Sequence, residues 1–190
     1  QTGGEVEAMF KEYYRDAMPL MPQFKEEFMR NPVGYLGTVY TEPWVFEDKF
    51  ALIGDAAHAF TPFFGQGCNS GFEDVAVLHS LMEEMLAKQG DLDMTALFAS
   101  YYKARKINTD AIAQMALDNF EEMMSKTADK RFLLEKEIEN ELSAMDSTYK
   151  SRYVLITHSL LPYHWCQEAG VVQESILSQL SENLACVSDL

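Results

Sequence analysis

Hydrophobic residues beyond position 70 recur with the period of about 3.6 residues that marks an α-helix. This pattern is continuous over residues 71–88 and again over 94–126, and it predicts two long amphipathic helices. Stretches with the same period predict further helices over 130–145 and 167–185. Residues 154–156 are all apolar and fit either the continuation of a helix or a brief strand.

The first seventy residues hold most of the glycines and prolines, so the chain must turn more often there. Residues 5–30 predict short helical pieces that are broken at Pro19 and Pro22. Residues 35–40 predict a strand, and residues 50–53 predict a shorter strand that a glycine stops. Taken together, the elements predict an α+β chain that is mostly α.

The net charge of the chain limits which kinds of molecule it can bind. The chain has 15 basic and 30 acidic residues and a formal net charge of -15. Phosphate backbones and anionic lipid surfaces attract clustered Lys and Arg, so this balance argues against nucleic acid or an anionic membrane as partner. No apolar run approaches the roughly 20 residues that span a bilayer, so no membrane segment is predicted in this chain.

The three cysteines are Cys68, Cys166 and Cys186, which are far apart and show no spacing typical of a disulfide framework or a metal site. The sequence therefore predicts no bound metal. A reducing intracellular compartment suits such a chain best.

One segment combines features that suit a nucleotide cofactor. Asp55 follows the predicted strand 50–53, and Gly54 between them permits close approach of a ligand. The loop of residues 65–67 then opens the helix 71–88, whose first amides and dipole favour negative charge. Each feature alone is common, because an Asp in this position usually caps a helix and a glycine usually serves a turn.

The combination resembles the GD motif of the class A flavoprotein monooxygenases. In that motif G-D-A-A-H, here residues 54–58, precedes P-x-x-G-Q-G-x-N at 62–69 and G-x-E-D at 71–74. The resemblance implies that Asp55 binds the ribitol of FAD and that the loop lies beside the isoalloxazine ring. The implied cofactor-binding residues are Gly54, Asp55, Pro62, Gly65, Gln66, Gly67, Cys68 and Asn69. His58 lies in the same turn, where a structural hydrogen bond is expected rather than a catalytic role.

The finer resemblance is to the kynurenine 3-monooxygenase family, whose loop reads P-F-F-G-Q-G-x-N-x-G-F-E-D, as residues 62–74 do here. The helix at 116–123 resembles the family's A-x-x-N-[YF]-x-E-M, and residues 153–163 resemble its Y-x-M-V-x-F-S-x-x-P-Y segment. The implied substrate-binding residues are Phe63, Asn119, Met123 and Tyr153. Read without the resemblance, the asparagine could face solvent, and the methionine and tyrosine could be core residues. Two positions depart from the family: Cys68 replaces a usual Met, and His158 a usual Phe.

The resemblance implies an FAD enzyme that uses NADPH and O2 to hydroxylate L-kynurenine to 3-hydroxykynurenine in tryptophan catabolism. No side chain is assigned as catalytic, because the flavin performs the chemistry. Two alternatives stay open: a hydroxylase of another aromatic substrate, or a non-catalytic assembly protein derived from such an enzyme.

The family's N-terminal βαβ unit carries a G-x-G-x-x-G turn that cradles the FAD pyrophosphate, and residues 1–190 contain no such motif. The expected division is therefore the end of a substrate domain over 1–50, an FAD-domain segment over 51–90 and a C-terminal helical region over 91–190. Alone, this chain is expected to be inactive, and a separate chain could supply the other half. The implied location is the cytoplasm or, in eukaryotes, the cytosolic face of the mitochondrial outer membrane.

Overall fold

The computed structural model describes residues 2–184, 186 and 187. It divides into two compact units, residues 1–36 and residues 37–190.

The first unit consists of short helices. Helix α1 spans Gly3–Tyr13 and begins with a capping box, in which Thr2 and Glu5 each accept a hydrogen bond from the other's backbone N–H. A 3-10 turn over Met18–Leu20 follows, and α2 spans Phe24–Arg30. The predicted series of short helical pieces is confirmed, with Pro19 inside the 3-10 turn.

The predicted strand over residues 35–40 is wrong. The only sheet in the described chain is a two-stranded antiparallel hairpin of β1, Val45–Phe46, and β2, Phe50–Ala51. Residues 35–40 have a β-like composition, but they lack a ladder of backbone partners. Within the described residues, a single hydrogen bond, from Val39 N–H to Ala59 O at 2.6 Å, joins them to other backbone. Propensity without a paired edge does not make a strand.

The two long helices agree with the sequence pattern. After the four-residue helix α3, Asp55–His58, and a 3-10 turn over Pro62–Phe64, helix α4 spans Gly67–Gln89. Helix α5 spans Met94–Glu121 and continues as a π-helical segment, Glu122–Lys126, so the predicted element over 94–126 is confirmed.

Three more helices complete the second unit. Helix α6 spans Lys130–Met145, α7 spans Arg152–His158 and α8 spans Tyr163–Asn183. Residues 154–156 are therefore helical, and the predicted helix over 167–185 begins one turn earlier, with residue 185 lying outside the described chain.

Helix α5 is the centre of this unit and packs against α4 on one side and α8 on another. Its buried face supplies Ile112 and Met115 to one apolar cluster and Tyr101 to another. Over the described residues, the helices are all too short or too polar to cross a bilayer.

Candidate functional site

The turn at Gly54 and Asp55 differs in detail from the sequence-based expectation. Asp55 does not end a strand but is the first residue of α3, and Gly54 before it has a φ of 62°, in the region that favours glycine. The Asp55 side chain is exposed, and no other group in the described chain bonds to it. Its carboxylate is therefore available to accept hydrogen bonds from a ligand.

This turn lies directly against the start of α4. The Gly54 N–H donates to the Asp74 carboxylate at 2.9 Å, and a Cβ placed on Gly71 would stand 3.7 Å from the Gly54 Cα. Two glycines thus allow the backbones to approach closely. As a result, the turn that carries Asp55 packs against the first turns of α4.

The N-terminal end of α4 is open. Gly65 has a φ of 65°, and Gln66 is the residue before the helix. The first hydrogen bond of the helix runs from Ser70 N–H to the Gln66 carbonyl, and the three amides before it have no acceptor in the described chain. These are the amides of Gly67, Cys68 and Asn69. A Cβ on Gly65 or Gly67 would meet nothing within 4 Å, so a ligand can reach this helix end.

Gln66 is turned into the protein. Its side-chain carbonyl accepts hydrogen bonds from Asn69 Nδ2 at 2.9 Å and from the Tyr163 hydroxyl at 3.0 Å. Burial, together with the charge of Glu73, raises the pKa of Tyr163 to about 12, so this phenol stays a neutral donor. The side chain of Gln66 therefore anchors the loop to α8, and only its backbone is left for a ligand.

A buried ionic cluster supports the turn and the helix together. The Asp74 side chain is fully buried and accepts hydrogen bonds from His58 Nε2 at 2.6 Å and from Arg105 Nε at 2.7 Å. Burial by itself raises the pKa of Asp74, but the hydrogen bonds from His58, Arg105 and Gly54 outweigh it and hold that pKa below its ordinary value. Asp74 is thus a carboxylate in the folded protein.

Arg105 completes the cluster and was not predicted from the sequence. It is 1% exposed, pairs with Glu73 at 2.8 Å and donates to both oxygens of Ser70. One signal was present: Arg105 falls at helical spacing from Tyr101 and Ile112 on the apolar face of α5. A cation on such a face requires a buried acid.

His58 has the structural hydrogen bond that was expected of it. Its ring also lies between aromatic neighbours, with centroids 5.2 Å from Trp44 and 5.9 Å from Phe60. The ring is 5% exposed, so a ligand has little access to it.

Three of the four residues expected to bind substrate line one open cavity of about 1090 Å³, called here the large cavity. They are Asn119, Met123 and Tyr153, and Phe64 joins them. Phe63 is not among the lining residues and instead stacks on Phe120 with centroids 4.5 Å apart. The structure thus brings together residues that are 34 positions apart along the chain, from Asn119 to Tyr153.

These three side chains are at least partly exposed in the described chain. Tyr153 and Met123 are each 55% exposed, so neither belongs to the core of the described chain. Asn119 is half-buried, and its amide donates to the Phe63 carbonyl at 2.8 Å, so it does not simply face solvent. Its side-chain oxygen has no donor in the described chain and can accept a bond from a ligand.

Comparison with known proteins agrees with this geometry. Residues 33–116 match the family model described as FAD binding domain, a range that includes the Gly54–Asp55 turn and the open end of α4. This part of the chain is therefore similar to an FAD binding domain.

Curated relatives define the family more narrowly. The chain is 40% identical over 187 residues to a kynurenine 3-monooxygenase of Dictyostelium discoideum, covering 94% of this chain and 41% of the relative. It is 41% identical over 180 residues to that of Flavobacterium psychrophilum, with 93% and 38% covered, and 40% identical over 190 residues to that of Myxococcus xanthus, with 100% and 40% covered. The chain is therefore similar to kynurenine 3-monooxygenases over nearly its whole length, and it spans about two fifths of the length of these relatives.

Proposed function

We propose that this chain forms part of an FAD-dependent monooxygenase that hydroxylates L-kynurenine to 3-hydroxykynurenine with NADPH and O2. The observation that carries the proposal is the large cavity, where Asn119, Met123 and Tyr153 meet beside the loop that leads into α4. The relatives' names supply the substrate. In this view the chain corresponds to the C-terminal portion of a class A flavoprotein monooxygenase.

The residues present fit FAD at the open end of α4. Asp55 has a free carboxylate for a ribitol hydroxyl, and the amides of Gly67, Cys68 and Asn69 can donate to the polar edge of the isoalloxazine ring. When bound, FAD supplies the redox chemistry with NADPH and O2. The partial positive charge of the helix end favours negative charge at that edge of the ring.

The large cavity suits the amino-acid end of kynurenine. Asn119 offers a free amide oxygen and Tyr153 an exposed hydroxyl, so both can hydrogen-bond a zwitterion without adding net charge. Met123 and Phe64 provide polarizable and aromatic surface for the ring of the substrate. Closing this surface against water would protect the reacting groups. A contact of Phe63 with the substrate stays a prediction.

The proposal also covers the activity of residues 1–190 alone and the cellular location of the enzyme. Residues 1–190 alone are inactive because they offer the ribitol and ring contacts without a pyrophosphate-binding glycine turn. The enzyme works in a reducing compartment, in the cytoplasm or on the cytosolic face of the mitochondrial outer membrane.

The test uses the full-length enzyme that contains this chain. Its absorbance spectrum should show bound flavin, and NADPH oxidation should be stimulated by L-kynurenine, with 3-hydroxykynurenine identified by mass. A panel with anthranilate, 4-hydroxybenzoate and salicylate tests the substrate. If one of these compounds is hydroxylated faster than kynurenine, that compound is the substrate instead. A colourless protein would favour the non-catalytic alternative.

A further inference from the structure

Arg152 connects three elements around the large cavity. It precedes Tyr153 in α7, and its guanidinium pairs with Glu122 of the π-helical segment at 3.1 Å and with Glu174 of α8 at 2.6 Å. The side chains of Arg152 and Glu122 are 17% and 16% exposed, so this pair is largely shielded from water. The two ion pairs are called here the Arg152 bridge.

Gly170 on α8 provides the space for this side chain. A Cβ at Gly170 would stand 2.3 Å from the Arg152 Cδ and 3.2 Å from its Cγ. A contact of 2.3 Å does not occur, so a side chain at Gly170 would displace the arginine from this position. The missing side chain at Gly170 is therefore what lets Arg152 reach both carboxylates.

The residues of the Arg152 bridge line two cavities. The second is a smaller cavity of about 400 Å³, which has an acidic lining that includes Asp118, Glu121 and Glu168. The residues that line both cavities are Glu122, Lys126, Arg152 and Glu174. The bridge thus forms part of the lining of the large cavity.

We propose that Arg152, seated over Gly170, is a positioning residue that fixes Tyr153 and the Glu122–Met123 turn relative to each other for substrate binding. This inference rests on the proposed function, because it assumes that the large cavity receives the substrate. A π-helical segment has irregular backbone hydrogen bonding, so an external tie from α7 gives it one defined arrangement. The planar fork of arginine holds two carboxylates in fixed directions, which the single ammonium of lysine does not.

The experiment compares variants of the full-length, FAD-loaded enzyme. Arg152→Ala removes the bridge, Arg152→Lys keeps the charge without the fork, and Gly170→Ala displaces the arginine without changing any charge. Lys106→Gln is the matched control, because Lys106 forms an ion pair with Asp110 on α5 outside both cavities. Steady-state kinetics give KM and kcat separately, and hydrogen exchange reports the amides of residues 122–126.

Arg152→Ala and Gly170→Ala should each raise the KM for kynurenine about tenfold with a smaller change in kcat, which is the signature of lost binding. Arg152→Lys should recover part of the KM, and the amides of 122–126 should exchange faster in the two bridge-breaking variants only. Lower thermal stability with unchanged KM and exchange would overturn the proposal.

Failure of the proposed function gives a different result. A wild-type enzyme that neither binds nor oxidises kynurenine would remove the substrate assignment. The hydrogen-exchange comparison would still test the positioning role of Arg152, because it needs no substrate. Unchanged exchange over 122–126 in both bridge-breaking variants would contradict that role.

Discussion

The imidazole of His58 and the carboxylate of Asp74 lie 2.6 Å apart, although 16 positions separate them along the chain. Both are buried, and Arg105 from α5 bonds to the other oxygen of the same carboxylate. The Asp74 carboxylate of α4 therefore joins the turn that carries Asp55 to α4 and α5 through hydrogen bonds. Asp74 thus supports the candidate flavin surface without being part of it.

Asp74→Asn should strongly destabilise the fold. The substitution leaves Arg105 buried without its full countercharge, and breaking a buried pair in this way costs about 3–5 kcal/mol. Urea denaturation measures the free energy of unfolding. The control is Asp110→Asn, which removes an ion pair on the surface of α5 and should cost less than about 1 kcal/mol. Equal losses in the two variants would contradict a special role for Asp74.

The contribution of Asp74 should also depend on pH. Because the folded protein holds its pKa below the ordinary 3.8, the stabilisation is fully present above that value and is lost as the pH falls through the lower, folded pKa. The difference in unfolding free energy between wild type and Asp74→Asn should therefore shrink as the pH falls below about 4. Denaturation curves from about pH 5 to about pH 3 measure this difference, and an increase of the difference over that range would contradict the prediction.

Asp55→Ala should weaken retention of FAD more than it weakens substrate binding. Loss of the carboxylate would leave ribitol hydroxyls without an acceptor, at a cost of about 1–3 kcal/mol. Flavin content after gel filtration of the full-length enzyme is the measurement. Asp48→Ala is the control, since Asp48 is another exposed acid, in the hairpin turn between β1 and β2. Full flavin occupancy in Asp55→Ala would remove this residue from the site.

Tyr153→Phe tests the kynurenine side of the cavity. The substitution keeps the ring beside Phe64 but removes the hydroxyl, so the affinity for kynurenine should fall by roughly 0.5–1.5 kcal/mol while flavin content stays constant. Because Tyr153 is exposed, thermal stability should hardly change. The control is Tyr149→Phe. The Tyr149 hydroxyl is buried without a partner in the described chain, and Tyr149 does not line the large cavity. Unaltered kynurenine affinity in Tyr153→Phe would count against a substrate contact.

Residues 1–190 by themselves should bind FAD weakly. They offer the Asp55 carboxylate and the α4 amides, but the sequence has no glycine turn for the pyrophosphate. Calorimetric titration of the isolated chain with FAD measures this directly, and tight binding at one FAD per chain would show the inference to be wrong.

Helices were easier to foresee than strands. The elements over 94–126 and 130–145 follow from spacing within a few turns, because helix contacts join residues three and four positions apart. The predicted strand over 35–40 failed for the opposite reason, since a strand exists only where another segment pairs with it. The choice between helix and strand for 154–156 likewise depended on packing.

The sequence by itself determined the GD turn, the glycine loop before α4 and the helices, because motif letters and periodicity act over short distances. Only the tertiary structure decided that Asp74 pairs with Arg105, that Asn119 and Tyr153 line the same cavity, and that Gly170 leaves space for the Arg152 side chain. Those relationships join helices whose packing angle and register come from the whole core. No window of neighbouring residues contains them.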